Sequence, residues 1–303
     1  MKRLYVTAAI ATVTALSGCK TTPDPVDPGP NARALTALID QGVEVETEIA
    51  QQDTAEKIAA KVQGAIENAD EAKLAGAKDS ELVWRSVAVN GLDAAAKLSG
   101  SNTESVIGYR TQLLGEAAAL QTLCEANSTD ARLGNRCALG QSIRLMNQSE
   151  IALAGFEAAV TGGDYYKAAE SADMYMASMS TDWPAYPAAV ADLPLIEQDA
   201  TPVAAQQTAS ACKLNEIANS PPAGGMDGPI WWNLTLDAAV DGNEAADAAA
   251  AAYLSAAATA AQFVGAMPAG GMNCDGAVDD LASTCRRALA DGLTQYCEQQ
   301  SNS

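Results

Sequence analysis

The chain has 303 residues, 38 acidic side chains against 18 basic ones, a formal net charge of −20 and no histidine. The missing imidazole excludes Ser-His and Cys-His nucleophile pairs, histidine metal sites and histidine acid–base chemistry. An acidic surface also repels phosphate backbones, whose binding depends on Lys and Arg, so nucleic acid is not an expected partner.

The chain begins with Lys2 and Arg3, followed by an apolar stretch from Leu4 to Leu16 and then Ser17-Gly18-Cys19. About 13 apolar residues fall short of the roughly 20 that span a bilayer as a helix, and they fit the apolar region of a removable export signal. Leu16-Ser17-Gly18-Cys19 resembles the lipobox of a bacterial lipoprotein, a resemblance confined to the first twenty residues. It implies a signal peptide over 1–18, cleavage after Gly18 and a diacylglyceryl group on the Cys19 thiol. Several acyl chains at one N-terminus give stable membrane attachment. By the sorting rule of such lipoproteins, Lys20 in place of Asp implies the outer membrane, with the body facing the periplasm or the cell surface. Loss of Lys2 and Arg3 leaves 16 basic and 38 acidic residues, a mature net charge of −22.

Thr21 to Asn31 carries Pro23, Pro25, Pro28 and Pro30, which block helix and sheet ladder alike. Residues 19–31 are therefore expected to form a tether, in which Thr21 to Asn31 extend over roughly 30 Å at about 3.1 Å per residue. Residues 32–303 are expected to be one all-α domain with a candidate internal boundary near 141. Its architecture is an irregular helical bundle or an array of helical hairpins, stapled by disulfides. Alanine, the best helix former, dominates and β-branched alternation is scarce.

In chain order, Leu35, Leu38, Ile39, Val43 and Ile49 recur near helical spacing from Asn31 to about Ala50. Asp53-Thr54-Ala55-Glu56 has the pattern of a capping box, with a carboxylate on the orphan amides and Glu56 reaching back. A second helix follows with Ile58, Val62, Ala65 and Ile66 on one stripe. A third starts at Asp79 or Ser80 and carries Leu82, Val83, Val87 and Leu92. After Ser99-Gly100-Ser101-Asn102 a fourth runs from about Thr103 to Ala126. A short helix from Ala131 to Leu139 and a longer one from Gln141 to Val160 come next. Gly162-Gly163 stops the latter, because glycine accepts the left-handed conformation at a helix end. Asp164 caps a helix to about Met179. Residues 180–202 are proline-bearing and irregular at first. Residues 219–233 form a loop, Leu234–Val240 and Asn243–Val264 form a helical pair, and a last helix follows a loop over Pro268–Gly276.

Six cysteines remain in the body, an even number in an exported chain, which favours disulfides. Cys124 and Cys137 flank a turn between two helical patterns and are assigned to each other. Cys285 and Cys297 lie 12 residues apart on one predicted helix, about 18 Å at 1.5 Å per residue, too far to bridge. Cys274 in a glycine-rich loop is therefore paired with Cys285, leaving Cys212 for Cys297. No pair has redox spacing, so the expected role is structural. Many core positions are only alanine, and each buries little area; staples offset that weakness.

Gly163-Asp164-Tyr165, with Ala168 beyond, resembles the turn of a tetratricopeptide repeat, over roughly 152–179. Such repeats stack helical hairpins into a concave binding surface. Leu236 to Ala246 is a similar helix–turn–helix, but the 80-residue separation from Phe156 to the matching Leu236 is no multiple of 34.

The aromatic residues, though few, group in the sequence. Tyr165, Tyr166, Trp183, Tyr186, Trp231 and Trp232 are candidate contact residues, beside carboxylates such as Asp164 and Asp227. Aromatic faces next to carboxylates suit a sugar or a cationic small molecule; the competing reading is that these rings plug gaps in a thin alanine core. Carboxylate pairs such as Glu46 with Glu48, Asp70-Glu71 and Asp279-Asp280 lack any spacing that fixes catalytic geometry. The expectation is a non-catalytic binding or scaffolding protein with no catalytic residues, metal or cofactor. Its partners are the membrane, through the lipid, and an unidentified protein or small molecule. The alternatives are an accessory or solute-binding component of a transport system and a carboxylate-based glycan-processing enzyme.

Overall fold

Helical spacing of small and branched apolar residues becomes helix along the chain in a computed structural model, which describes residues 29–100, 103–126, 130–181, 183–184, 203–222, 228–266 and 279–301. The described elements are α1 (Gly29–Ala50), α2 (Ala55–Leu74), α3 (Lys78–Leu98), α4 (Thr103–Ala126), α5 (Ala131–Gly162), α6 (Tyr165–Met179), α7 (Val203–Ala218), α8 (Trp231–Val240), α9 (Glu244–Phe263) and α10 (Asp279–Ser301). The protein is all-α, with no strand among the described residues. Cys19 and most of the expected tether lie outside them. The tether was expected to reach Asn31, but α1 already begins at Gly29. Pro30 is tolerated there because the first helical amides have no intrahelical acceptor to lose.

Two helices organise the packing. Around α3 lie α1, α2, α4 and the first half of α5; around α9 lie α6, α7, α8 and α10. The 32-residue α5 joins the two groups, since it packs against α3 and α4 and also against α6 and α7. The sequence suggested a break after Leu139, but α5 runs straight through Gly140 and through the expected boundary near 141. Gly140 is a contact residue instead of a helix end: a Cβ there would lie 2.4 Å from Leu120 Cδ2. The absent side chain lets α4 and α5 approach beside their disulfide.

Helix ends follow their capping chemistry. Asp164 accepts from the Lys167 amide at 3.1 Å, and Gly163 takes the left-handed conformation at φ +67° as expected. Asn243 accepts from the amides of Ala245 and Ala246 at the start of α9. At α2 the cap is Thr54, whose hydroxyl accepts from the Lys57 amide, while Asp53 bonds the Lys57 ammonium at 2.6 Å. The cap is thus one residue later than expected and one-sided, with the Asp53 carboxylate engaged by Lys57. Helix α3 starts at Lys78 and α8 at Trp231, earlier than the sequence suggested.

The core is contiguous. It runs from Ile49, Ile58, Val62, Val83, Val87 and Leu92 through Leu120, Leu139 and Ile143 to Phe156, Tyr175, Trp231, Tyr253 and Leu293. Alanine supplies most of the α9 contribution. Close approach is visible at Gly91 on α3, where a Cβ would sit 2.3 Å from Val62 Cγ2 and 3.2 Å from Ile49 Cδ1. We expect Gly91→Ala to destabilise by about 1–3 kcal/mol, since overpacking exceeds the gain in helix propensity. Gly64→Ala and Gly115→Ala, whose added methyls would meet nothing within 4 Å, should stabilise by up to about 1 kcal/mol. Chemical denaturation of the three variants checks the contrast.

Two disulfides brace the helices. Cys124–Cys137 joins α4 to α5, and Cys212–Cys297 joins α7 to α10 across a sequence separation of 85. Both pairings agree with the sequence assignment. Cys285 is also disulfide-bonded; its assigned partner, Cys274, lies outside the described residues. Among the described residues no helix is long and apolar enough to cross a membrane.

Charged groups are buried where the sequence showed only acidic composition. Glu46 of α1 is fully buried and meets Arg136 of α5, itself 2 % exposed, at 3.1 Å. Asn90 donates to Glu46 at 2.8 Å, and Arg136 also donates to Ser86 at 2.8 Å. Gly42 lies beside the pair, where a Cβ would press on Val83 Cγ1 at 2.8 Å. A second node is Arg85 of α3, which meets Asp70 of α2 and Glu116 of α4 at 2.5 Å each. Burial works against the Arg85 charge, but hydrogen bonds and attraction from Glu116 and Asp70 prevail and raise its pKa. Glu46 and Asp70, considered above as carboxylate pairs, therefore hold helices together.

Candidate functional site

The six aromatic candidates do not form one surface. Trp231 is 1 % exposed and sits edge-on to Phe156, with ring centroids 5.2 Å apart, and to Tyr253 at 6.0 Å. Trp183 is 6 % exposed; its indole N–H donates to the Ser178 carbonyl at 2.9 Å, and its ring lies 6.2 Å from Phe263. The expectation that these two belong to a contact surface is corrected for Trp231, which fills the gap the alanines of α9 leave. Trp183 is likewise mainly a packing residue, although part of it borders a cavity. Tyr165 is half-buried against the core, and Tyr166 is 74 % exposed at the start of α6. Neither makes a ring contact with the tryptophans among the described residues. Tyr186 and Asp227 lie outside the described residues.

Trp232 differs. Adjacent positions on a helix project about 100° apart, so burial of Trp231 turns Trp232 toward the rim, where it is half-buried. Its ring leans on Tyr253 at 4.8 Å. The two rings form one wall of a cavity of about 490 Å³ between α8, α9 and α10. Opposite stand Arg287, Asp291, Thr294 and Glu298 of α10, with Asn219 and Asn233 at the ends. The Thr294 hydroxyl donates to Asn215 Oδ1 at 2.7 Å, and Asn219 donates to the Asn215 carbonyl at 2.8 Å. These bonds fix the polar rim. The Cys212–Cys297 disulfide, one turn from Thr294, ties α10 to α7 and holds that rim against the rest of the body.

Burial raises the Tyr253 hydroxyl well above its ordinary pKa, and the Asp291 carboxylate adds to the effect, so the phenol is neutral at any physiological pH. The groove thus offers the half-buried Trp232 ring, tilted 54° against a Tyr253 that is 3 % exposed, with amide and hydroxyl groups, two carboxylates and one guanidinium. No cluster of metal-ligating side chains occurs among the described residues. Such a set suits hydrogen bonding and stacking.

Sequence reasoning found Trp232 but missed its partners. Tyr253 was hidden in the alanine run of α9. The polar residues of α10 had a readable signal: Arg287, Asp291, Thr294 and Glu298 follow one another at intervals of three and four, which places them on one helix face. No family model matches this chain, and neither a curated protein nor a solved structure matches it.

Proposed function

We propose that this chain is an exported, lipid-anchored, non-catalytic binding protein whose contact site is the groove walled by Trp232 and Tyr253. The observation that carries the binding role is the pairing of that aromatic wall with a rim of amides, a hydroxyl and carboxylates in a cavity of about 490 Å³. Volumes of this size are usual for small-molecule sites. Polar rims with one stackable face suit a polyhydroxylated ligand of sugar type. Export is supported by the disulfides, which persist in oxidising compartments. The proposed mooring rests on the lipobox resemblance of Leu16-Ser17-Gly18-Cys19, and its outer-membrane side, with the body facing the periplasm or the cell surface, on Lys20.

Titration of the mature protein with a panel of mono- and oligosaccharides, followed by tryptophan fluorescence and calorimetry, tests the site. Trp232→Ala should abolish the response while leaving the melting temperature within a few degrees of the parent. Trp231→Ala should instead cost about 3–5 kcal/mol, the penalty for truncating a buried indole. Equal destabilisation by both substitutions would make Trp232 a packing residue and remove the groove from the argument. Mass spectrometry of the mature chain should find Cys19 acylated at the N-terminus, and an unmodified chain in the soluble fraction would refute the mooring.

A further inference from the structure

A second cavity, of about 500 Å³, opens between α3, α4, α5 and α7, on residues that, Trp183 apart, the sequence reading did not single out. Its floor is apolar: Met146 and Leu153 of α5, with Trp183 beside them. Its rim gathers Lys97, Arg110 and Lys213 from three different helices. In a chain with more than two acidic residues for each basic one, that convergence runs against composition. Between Gln141 and Thr284 the basic residues are Arg144, Lys167 and Lys213, so the cavity draws one of three.

Each cation is steadied by a carboxylate. Arg110 pairs with Glu150, Lys97 with Asp93 at 2.8 Å, and Lys213 with Glu216 at 3.3 Å and Glu157 at 3.6 Å. Glu150 and Glu157 line the cleft beside them, so three cations face two carboxylates there. The Arg110 side chain is 15 % exposed, and its Nε is buried with no acceptor. A buried guanidinium N–H without an acceptor is unfavourable, and it shows that the surrounding carboxylates do not satisfy Arg110 in full. Nearby, the Ser210 hydroxyl makes only long contacts, 3.3 Å to Ser149 Oγ and 3.4 Å to the Tyr175 hydroxyl. Burial keeps the Tyr175 phenol neutral by raising its pKa.

We propose that this cleft binds a small amphipathic anion: a compact anionic head, such as a carboxylate, held by Arg110 with Lys213 and Lys97 on the rim, and an apolar body of medium-chain size on Met146, Leu153 and Trp183. Charge at the rim selects the head, and the floor supplies the affinity of apolar burial. The cleft and the Trp232 groove involve different helix faces, so neither site depends on the other.

The test uses the mature chain with decanoate as probe, below its aggregation concentration, followed by calorimetry and thermal shift. Decanol and decyltrimethylammonium carry the same apolar body with no charge and with the opposite charge. Decanoate should bind and raise the melting temperature, and the two controls should bind at least about tenfold more weakly. Arg110→Gln should weaken decanoate binding roughly tenfold or more, the loss expected for a charge-assisted hydrogen bond. Lys213→Gln, at a side chain that is 40 % exposed, gives a second measure should the first variant fold poorly. Lys167→Gln and Trp232→Ala, outside the cleft, should leave decanoate binding unchanged. No decanoate binding, equal binding of decanol, tighter binding of the ammonium, or indifference to both cleft substitutions would each overturn the proposal.

Discussion

Arg136→Met should lower the stability of the protein by about 3–5 kcal/mol, among the largest effects of any single substitution here. The guanidinium and the Glu46 carboxylate are both essentially out of water, and Asn90 and Ser86 complete the cluster. Removing the arginine leaves a buried carboxylate with the Asn90 amide but no countercharge, while Ser86 still donates to the Val83 carbonyl, and breaking a buried pair from one side typically costs that much. The attraction itself is not the main term, because desolvation of the two ions consumes most of it. The double variant Glu46→Leu/Arg136→Met should therefore recover most of the loss, since well-packed apolar replacements of buried pairs are often neutral or better. Urea unfolding of the parent, the single variant and the double variant separates the two contributions. Equal instability of single and double variants would show that shape at the α1–α3–α5 contact, and not the stranded charge, governs the site.

The second large effect concerns the staple between α7 and α10. Cys212 and Cys297 close a loop spanning 85 residues, against 13 for Cys124 and Cys137. If cross-links act chiefly by reducing the entropy of the unfolded chain, the longer loop contributes about 4.5 kcal/mol and the shorter about 3. Cys212→Ala/Cys297→Ala should thus cost about 1.5 kcal/mol more than Cys124→Ala/Cys137→Ala in denaturant titrations. It should also loosen the Trp232 groove, because α10 carries one wall of it. Binding of a groove ligand should weaken in the first double variant and persist in the second. The opposite order of stability would mean that local packing at α4–α5, where Gly140 allows the close contact with Leu120, outweighs loop closure.

Where the reading of the chain differed from the fold, the differences share a cause. At Gly140 a glycine was taken as a helix end, but its purpose is a contact with another helix. At Asp53 a carboxylate was taken as a cap, but a lysine one turn on engages it. At Trp231 the sequence left two readings, contact surface or gap-filler in a thin alanine core, and burial decides for the second. In each case the deciding group is a side chain's partner: on another helix for Gly140 and Trp231, and four residues along the chain for Asp53. The Trp232 groove was half visible for the same reason: the tryptophan announced itself, while Tyr253 and the α10 face became part of a site only by packing.

What the sequence determined alone is whatever depends on chemistry along the chain. Alanine and leucine at helical spacing specify helix whatever surrounds them. Asn and Asp before a helix, and glycine after one, satisfy their own neighbours' amides and carbonyls, so the ends at Gly163, Asp164 and Asn243 were legible. The Cys124–Cys137 bridge was legible because a short turn brings its ends together. Only the tertiary structure decided which of the 38 carboxylates would be buried, which tryptophan would face the rim, and that Lys97, Arg110 and Lys213 would meet. Those outcomes depend on free energies of desolvation and packing between helices distant in sequence, and no local pattern carries that information.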